Sequence, residues 1–587
     1  MNSLHKSMQS MEARHAPHPL ALALGIACSL FFVSTVQAGI VTPNSPLQTG
    51  TKVPPNIMLM LDDSGSMAET NMDDPTLGNF TGGGLSGSEL STMQLRAYAN
   101  NSIFYNPAET YLPWRLANGT RMASTPYTAV YTDTSKASGS TTNLTTANQE
   151  VYYPINPALE TTNAVDYYRY RFKTDGTADR CQRTQVLGVW GWNACVTGIT
   201  SFTWTTPTGP VTRTLAQEKQ NYANWYSYNR TRMKVAKSGA SSAFGDLGED
   251  IRVGMRSLWN NSGSSNFNIP VTVDNGLFRN QTTPAVTNNR TNWYNALFSS
   301  TANNGTPLRS ALRNMGTYYT DTSATGPWGP EATALQIACR QNFTILTTDG
   351  YWNGDSGFAE ADGDSVSGPV ITSPTGATYQ YVPGRPYSSA TANTLADVSM
   401  RYWKNDLRTD LPNIVPPSAD DPAFWQHMVT FGLSIGLRGT LNPATDRDKP
   451  GASNDLTDGG LTWPVPAADS INNIDDLWHA AVNSQGTFVA ASTPDDFSKG
   501  LRDALAAIVA RTGSSSNVAA NSVSVGSNTR LFQASYISGQ WTGELAAYPI
   551  SGTGISATAS WKASALLPVH ASRNIFTTTN TSGGTGG

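Results

Sequence analysis

The chain has 587 residues, of which only 14% are charged, and its formal net charge at pH 7 is −4. It contains no run of basic residues, so the composition argues against nucleic acid as a partner. The length allows roughly two to four domains. A weakly charged surface rich in Thr, Asn and Tyr is typical of an extracellular binding protein.

The first 38 residues have the features of an export signal. Lys6 and Arg14 give a basic start, residues 20–33 are apolar, and residues 36–38 (Val-Gln-Ala) resemble a cleavage site. The apolar run is too short to span a membrane, and no other stretch of the sequence is long enough to do so. We therefore predict a signal peptide at 1–38, an N-terminal linker at 39–52 and an exported protein without a transmembrane segment.

The cysteines agree with export. Besides Cys28, which lies in the predicted signal peptide, the chain has Cys181, Cys195 and Cys339. Cys181 and Cys195 bracket a short Trp-rich segment and are predicted to form a disulfide, which should contribute about 3 kcal/mol to stability. Cys339 is predicted to be a buried cysteine in a helix, with a reactive or regulatory thiol as the alternative.

A short apolar run at 57–61, bounded by Pro55 and a Gly/Ser turn, predicts a buried parallel strand. Asp62, Ser64 and Ser66 follow at alternate positions. Their oxygens are hard donors, which suit Mg²⁺, Mn²⁺ or Ca²⁺, and ligands of open α/β sheets bind beyond the carboxyl ends of the strands. Taken alone, such a cluster is more often a simple turn.

The strand followed by Asp-x-Ser-Gly-Ser resembles the metal-ion-dependent adhesion site of von Willebrand factor type A (VWA) domains. The resemblance implies two further donors, a Thr before a helix and an Asp that ends a later strand. Thr306 precedes Pro307 and an amphipathic segment, and Asp349 ends the apolar run 343–348. The implied site is a divalent cation, Mg²⁺ or Ca²⁺ or else Mn²⁺, held by Asp62, Ser64, Ser66, Thr306 and Asp349.

The expected fold is α/β, a VWA (Rossmann-like) doubly wound and mostly parallel sheet over residues 53–511. Large irregular insertions are expected at about 68–216 and 350–393. The remaining elements predicted from periodicity are helices at 221–244, 332–340, 395–407, 475–482 and 494–508, and strands at 251–255 and 427–437. A linker at 512–528 then leads to short strands at 530–536, 540–548 and 560–566.

A second acidic loop follows Asp349. Asp355, Glu360, Asp362 and Asp364 cluster there among glycines, so Asp355, Asp362 and Asp364 are candidates for a second Ca²⁺ site. The spacing departs from that of a complete calcium loop, which favours a solvated acidic loop instead.

Longer stretches resemble one family, the PilY-type proteins of bacterial type IV pili. The matching stretches are residues 101–114, 221–233, 339–354, 394–413, 475–483 and 540–545. The resemblance is to the N-terminal half of the family and implies that segment 529–587 holds the entry strands of a truncated β-propeller. It also implies pilus biogenesis and adhesion rather than catalysis, with minor pilins at the pilus tip and a host or surface ligand bearing an acidic group as partners. The implied location is the pilus tip, cell surface or outer membrane, reached through the periplasm.

Two other functions fit parts of the sequence. Residues 432–436 match the G-x-S-x-G elbow of serine hydrolases, with Ser434, Asp475 and His479 in the chain order of such a triad. However, residues 438–441 read as a loop where the elbow requires a helix. The other alternative is a VWA scaffold whose metal site is empty and whose role is structural.

Overall fold

The computed structural model describes residues 53–568 except for 73–79, 159–160, 207–208, 260–265, 354, 356–357, 361–362, 419, 449–453, 513–514, 521–529, 538–541, 552–553 and 556–557. The predicted signal peptide, the predicted linker 39–52 and Asp362 therefore lie outside the described residues.

The helices and strands are numbered in chain order. The helices are α1 Gly87–Arg96, α2 Leu215–Tyr228, α3 Arg232–Gly245, α4 Asn289–Ser299, α5 Leu308–Tyr318, α6 Leu395–Lys404, α7 Asn472–Asn483, α8 Pro494–Thr512 and α9 Ala563–Leu566. The strands are β1 Asn56–Leu61, β2 Val130–Tyr131, β3 Thr141–Thr142, β4 Gln149–Pro154, β5 Tyr167–Phe172, β6 Ala178–Val186, β7 Val189–Thr197, β8 Ser201–Thr206, β9 Gly209–Thr214, β10 Arg252–Ser257, β11 Asn280–Gln281, β12 Thr287–Asn288, β13 Asn342–Thr348, β14 Ile371–Thr372, β15 Thr378–Tyr379, β16 Met428–Ile435, β17 Phe488–Ala491, β18 Ser515–Ala520, β19 Arg530–Ile537, β20 Thr542–Ser551, β21 Gly554–Ile555 and β22 Trp561–Lys562.

A five-stranded parallel sheet in the order β10-β1-β13-β16-β17 forms the centre of the fold. In chain order these strands are the second, first, third, fourth and fifth of the sheet. The order reverses between β1 and β13, and in open α/β sheets this switch point is where ligands bind. The predicted parallel α/β sheet is confirmed, and its topology is compatible with a Rossmann-like domain.

Helices cover both faces of this sheet because the side chains of each strand alternate in direction. On β1, Ile57, Leu59 and Leu61 pack into a core with α3, α4 and α8. Met58 and Met60 pack into a second core with α5, α6 and α7. The continuous apolar run therefore reflects a strand that is buried on both sides.

The insertion at 68–216 is more regular than predicted. It contains the antiparallel sheet β4-β5-β6-β7 and the hairpins β2-β3 and β8-β9. Aromatic side chains such as Tyr105 and Trp204 form its own core together with Tyr222 of α2. Cys181 and Cys195 lie directly opposite each other on β6 and β7 and form the predicted disulfide, which is confirmed.

Several predicted elements differ from the structure. The helix predicted at 221–244 is two helices, because Thr231 caps α3 by accepting a hydrogen bond from the Lys234 backbone N–H. The helix predicted at 332–340 is wrong: this stretch holds only a 3₁₀ turn, Thr333–Leu335. Cys339 therefore lies outside a helix and is half-buried, and burial raises the pKa of its thiol.

The C-terminal part is an antiparallel sheet. β18 lies inside the predicted linker 512–528 and pairs with β19, which pairs with β20. The strand predicted at 560–566 is only the two-residue β22, because α9 follows it at once. Within the part of the chain that the structure describes, none of the helices is both long enough and apolar enough to cross a membrane.

Candidate metal centre

Asp62 and Asp349 lie at the carboxyl ends of the neighbouring strands β1 and β13, at the switch point of the sheet. Both carboxylates are buried. Asp62 Oδ2 accepts hydrogen bonds from Thr348 Oγ1 at 2.7 Å and from the Asp349 backbone N–H at 3.2 Å. Gly350 has φ +141°, a backbone conformation that glycine adopts readily, and it lets the chain turn away directly after Asp349.

The two predicted serines connect these carboxylates. The Ser64 backbone N–H donates to Asp62 Oδ1 at 2.8 Å, and the hydroxyls of Ser64 and Ser66 are 3.0 Å apart. Ser66 Oγ donates to Asp349 Oδ1 at 3.0 Å. The structure thus brings four of the five predicted ligands into one hydrogen-bonded cluster whose outermost member, Ser66, is exposed to solvent.

Thr306 is held beside this cluster by its neighbours. The Gly65 backbone N–H donates to the Asn304 carbonyl at 2.8 Å, which joins the Thr306 loop to the serine loop. The Thr306 backbone N–H donates to Asn353 Oδ1 at 3.1 Å, which joins it to the loop after Asp349. Among the described residues, no hydrogen bond links the Thr306 side chain to the other four predicted ligands.

The two carboxylates of the cluster are close enough to repel each other. Burial, and then repulsion from Asp349, raises the pKa of Asp62 to about 7, although hydrogen bonds from Ser64 and Thr348 act in the opposite direction. A nearby positive charge would favour the ionised form. A cation site at this position would therefore draw on two closely spaced carboxylates.

A positively charged side chain of the protein, that of Arg232, contacts the cluster. Arg232, the first residue of α3, donates from Nη1 to Asp349 Oδ2 at 2.9 Å and from Nε to the Asn71 carbonyl at 2.7 Å. Its side chain and that of Asp349 are both largely buried. Sequence reasoning missed Arg232, because nothing in the local pattern connects this helix start to a strand end 117 residues later.

Asp63 was also missed, although it lies within the Asp-x-Ser-Gly-Ser stretch. It is buried, and its Oδ1 accepts from the Trp259 backbone N–H at 3.0 Å, at the end of β10. Its Oδ2 accepts from Asn304 Nδ2 at 3.0 Å, while burial raises its pKa. Asp63 therefore fixes the serine loop to the Thr306 loop, and its position next to Asp62 was the available signal.

The donor set fits a hard divalent cation. It consists of two carboxylates and several hydroxyls, the oxygen ligands that Mg²⁺, Mn²⁺ and Ca²⁺ prefer. Among the described residues, no group of three or more His, Cys, Asp or Glu is placed to hold a metal ion. A metal at the switch point would therefore depend on serine and threonine hydroxyls as much as on the carboxylates.

The second acidic loop has a different arrangement. Its three described acidic side chains bind separate partners: Asp355 accepts from the Arg309 backbone N–H at 3.0 Å, Glu360 pairs with Arg401 at 2.8 Å, and Asp364 accepts from the Ser389 N–H at 2.9 Å and from Asn483 at 3.2 Å. Asp355 and Asp364 are buried rather than solvated. A calcium site that includes Asp362 stays a prediction.

The residues of the hydrolase hypothesis lie in separate hydrogen-bond networks. The Ser434 hydroxyl is buried in β16 and donates to the Leu437 carbonyl, Asp475 accepts from Thr440 and Leu441, and His479 Nε2 contacts the Tyr387 carbonyl at 2.6 Å. The His479 ring stacks on Trp463 with 4.1 Å between centroids, and burial lowers its pKa to about 3. These contacts give each residue a structural role.

Comparison with known proteins finds three similar proteins, each described as "Type IV pilus biogenesis factor PilY1" from Pseudomonas aeruginosa. The protein of strain PAO1 is 31% identical over 572 residues, which are 91% of this chain and 45% of the relative. That of strain UCBPP-PA14 is 30% identical over 607 residues, 95% of this chain and 48% of the relative. That of strain PAK is 30% identical over 575 residues, 91% of this chain and 46% of the relative.

The chain spans about half the length of the curated relatives it matches. No protein-family model matches it. No solved structure matches it either.

Proposed function

Because this chain belongs to the PilY-type family in the region that it shares with these relatives, we propose that it acts in type IV pilus biogenesis and in pilus-associated adhesion. The adhesive part of the proposal is a metal-ion-dependent adhesion site in a VWA-like domain. The relatives' described role supports the first part, and the geometry of the candidate centre supports the second.

One observation carries the adhesion site. Ser66 bridges toward Asp349 from the loop that follows β1, so residues from two neighbouring strand ends meet at the switch point of the sheet. Ligand sites of open α/β sheets lie at this point because the loops there diverge and leave a crevice. Ser66 is an exposed residue, as a site that contacts a partner requires.

The proposed roles follow from the chemistry of each side chain. Ser64, Ser66 and Thr306 offer hydroxyl oxygens, while Asp62 and Asp349 supply the compensating negative charge. A divalent cation, when bound, would supply positive charge and an open position for an acidic group of a partner. The buried hydrogen bonds to Asp62 fix its carboxylate in place, and Arg232 holds Asp349 from the side of α3.

The proposed partners are minor pilins at the pilus tip and a host or surface ligand that presents an acidic group. The proposed location is the pilus tip, the cell surface or the outer membrane, reached through the periplasm. The open position of a hard divalent cation would accept a carboxylate oxygen of such a ligand.

The metal site is tested by calorimetric titration of Mg²⁺, Mn²⁺ and Ca²⁺ into the purified chain and into Asp62→Ala and Asp349→Ala variants. A single site lost in both variants is the expected result. If the metal still binds to both variants, the site is assigned to the loop of Asp355 and Asp364 instead. If no metal binds to the wild type or to either variant, the domain is assigned a structural role.

The biological role is tested in the bacterium that encodes the chain. Deletion of the gene should reduce the number of surface pili seen by electron microscopy, and the wild-type gene should restore them. An Asp62→Ala allele should restore pili but not adhesion to a surface. Normal piliation in the deletion strain would contradict a role in biogenesis, and normal adhesion of the Asp62→Ala strain would contradict the adhesion site.

A further inference from the structure

The hairpin of β6 and β7 ends in an exposed apolar apex, residues 186–190. Leu187 at its tip is 100% exposed and Val189 is 70% exposed, while Val186 and Trp190 are also exposed. Large apolar side chains exposed singly are normal on protein surfaces, but a contiguous group marks an interaction site. The apex is distant in sequence from the candidate metal centre and takes no part in it.

The turn itself is built with an unfavourable residue. Val186 pairs with Val189, which leaves Leu187 and Gly188 as a two-residue loop. Both have positive φ, 50° and 83°. Asn-Gly is the preferred sequence for such turns, and a bulky residue with positive φ is an outlier. Leucine at this position is unfavourable both for the backbone conformation and for the hydration of the side chain. This points to a role in contact with another molecule rather than in the stability of the fold.

The stem of the hairpin is firmly held. The Cys181–Cys195 disulfide joins its two strands. Arg183, beneath the apex, donates to the Gly83 carbonyl at 2.6 Å and pairs with Glu89 at 3.0 Å. The apex is therefore presented on a rigid support rather than on a loose loop.

The shape and chemistry of the apex favour a lipid surface. Val189 and Trp190 are consecutive on β7 and therefore point to opposite faces of the hairpin. Trp190 lies against Gly84 but keeps 39% of its surface exposed, so both faces of the apex present apolar surface. Residues 184–194 contain no charged side chain, and Thr184, Gln185 and Asn193 form a neutral polar collar. A groove on a protein would contact mainly one face, whereas a bilayer surrounds an inserted tip.

We propose that this apex inserts into the interfacial region of a lipid bilayer. Leu187, Val186 and Val189 would enter the acyl boundary, and the indole of Trp190 would lie at the headgroup level, where tryptophan is enriched. The neutral collar would remain in the headgroup layer, so anionic lipid is not required. The disulfide would keep the tip extended during contact.

The experiment is flotation of the full chain with phosphatidylcholine vesicles, with and without added phosphatidylglycerol. The test variant is Leu187→Asn, which suits a turn with positive φ and should therefore fold at least as stably as the wild type. Val189→Thr is a second variant that keeps the β-branched shape. The matched control is Val286→Asn, which removes an equally exposed valine (70%) elsewhere.

The wild type and Val286→Asn should float with phosphatidylcholine vesicles, and Leu187→Asn should bind about tenfold more weakly. Salt and phosphatidylglycerol should change this little, and EDTA should have no effect. Failure of the wild type to bind, or equal binding by Leu187→Asn, would overturn the proposal. Leu187-dependent self-association in place of vesicle binding would assign the apex to a protein contact and overturn it as well.

Discussion

Arg232 and Asp349 form a buried ion pair at the edge of the candidate metal centre, with 2.9 Å between Nη1 and Oδ2. The guanidinium occupies the side of the Asp349 carboxylate opposite to Ser66, which donates to Oδ1. The Asp349 carboxylate thus binds both the Arg232 guanidinium and the hydroxyl of Ser66. A cation bound at the centre would therefore act on α3 through the Asp349 carboxylate.

Replacement of Arg232 by Gln should destabilise the metal-free protein and increase its response to metal. Loss of one partner from a buried ion pair costs about 3 kcal/mol because the other charge is left uncompensated. A bound cation would restore that compensation, so Mg²⁺ should raise the unfolding temperature more in Arg232→Gln than in the wild type. Differential scanning calorimetry with EDTA or Mg²⁺ measures both effects.

The matched control for this experiment is Arg171→Gln, which breaks the pair of Arg171 with Asp179 in the inserted sheet. It should lower stability without changing the response to Mg²⁺. If Arg232→Gln and Arg171→Gln respond to Mg²⁺ alike, Arg232 does not influence the centre.

Thr306 is tested by a pair of substitutions that separate its hydroxyl from its shape. Thr306→Val keeps the volume but removes the oxygen, so the affinity for Mg²⁺ should fall at least roughly tenfold. Thr306→Ser keeps the oxygen and should remain within a few-fold of the wild type. Calorimetric titration distinguishes them, and equal affinities in both variants would remove Thr306 from the ligand set.

Two buried histidines should give opposite pH dependences of stability. Burial alone would lower the pKa of His427, but the charge of Asp421 and hydrogen bonds to Asp421 and the Trp425 carbonyl raise it above 6.5. Its stabilising effect is therefore full below pH 6.5 and is lost as the pH rises through the folded-state pKa. Burial lowers the pKa of His479 to about 3, so its neutral form stabilises the fold above pH 6.5 and this contribution is lost toward lower pH.

Urea unfolding of the wild type, His427→Gln and His479→Gln between about pH 5 and about pH 8 measures these effects. The loss of unfolding free energy in His427→Gln should shrink as the pH rises, and that in His479→Gln should grow. Parallel slopes for the two variants would contradict the assigned protonation states.

The disulfide should stabilise the inserted sheet. Cys181 and Cys195 are separated by 14 positions, and opening a loop of this size should lower the free energy of unfolding by about 3 kcal/mol. A Cys181→Ala/Cys195→Ala double variant measured by chemical denaturation tests this value. Cys339→Ala, which leaves the bridge intact, is the control, and an undiminished stability of the double variant would refute the prediction.

Sequence reasoning located the central strands because their signals are local. The apolar runs of β1 and β13 and the polar residues that end them are visible within about ten positions. That these two strands are neighbours in the sheet is a finding of the structure. It was the resemblance to the metal site of VWA domains that linked Asp349 to Asp62, Ser64 and Ser66.

The rest depended on contacts between distant segments. The inserted sheet is rich in Tyr, Thr and Asn, whose alternation gives a weak strand signal, and its cores form against the helices α2 and α1. The short edge strand β17 was not predicted either, because its local strand signal is also weak. The Arg232–Asp349 pair joins two elements 117 residues apart, and no pattern within either segment indicates it.

The order of the central strands also determines when the centre can form. Asp62 is translated early, but its hydrogen-bonding partner Asp349 follows 287 residues later. The two strands that pair with β1, which are β10 and β13, likewise follow the whole first insertion in the sequence. A chain that ends before Asp349 would therefore lack one of the candidate ligands, and uptake of a cation at this centre would report that β1 and β13 have paired.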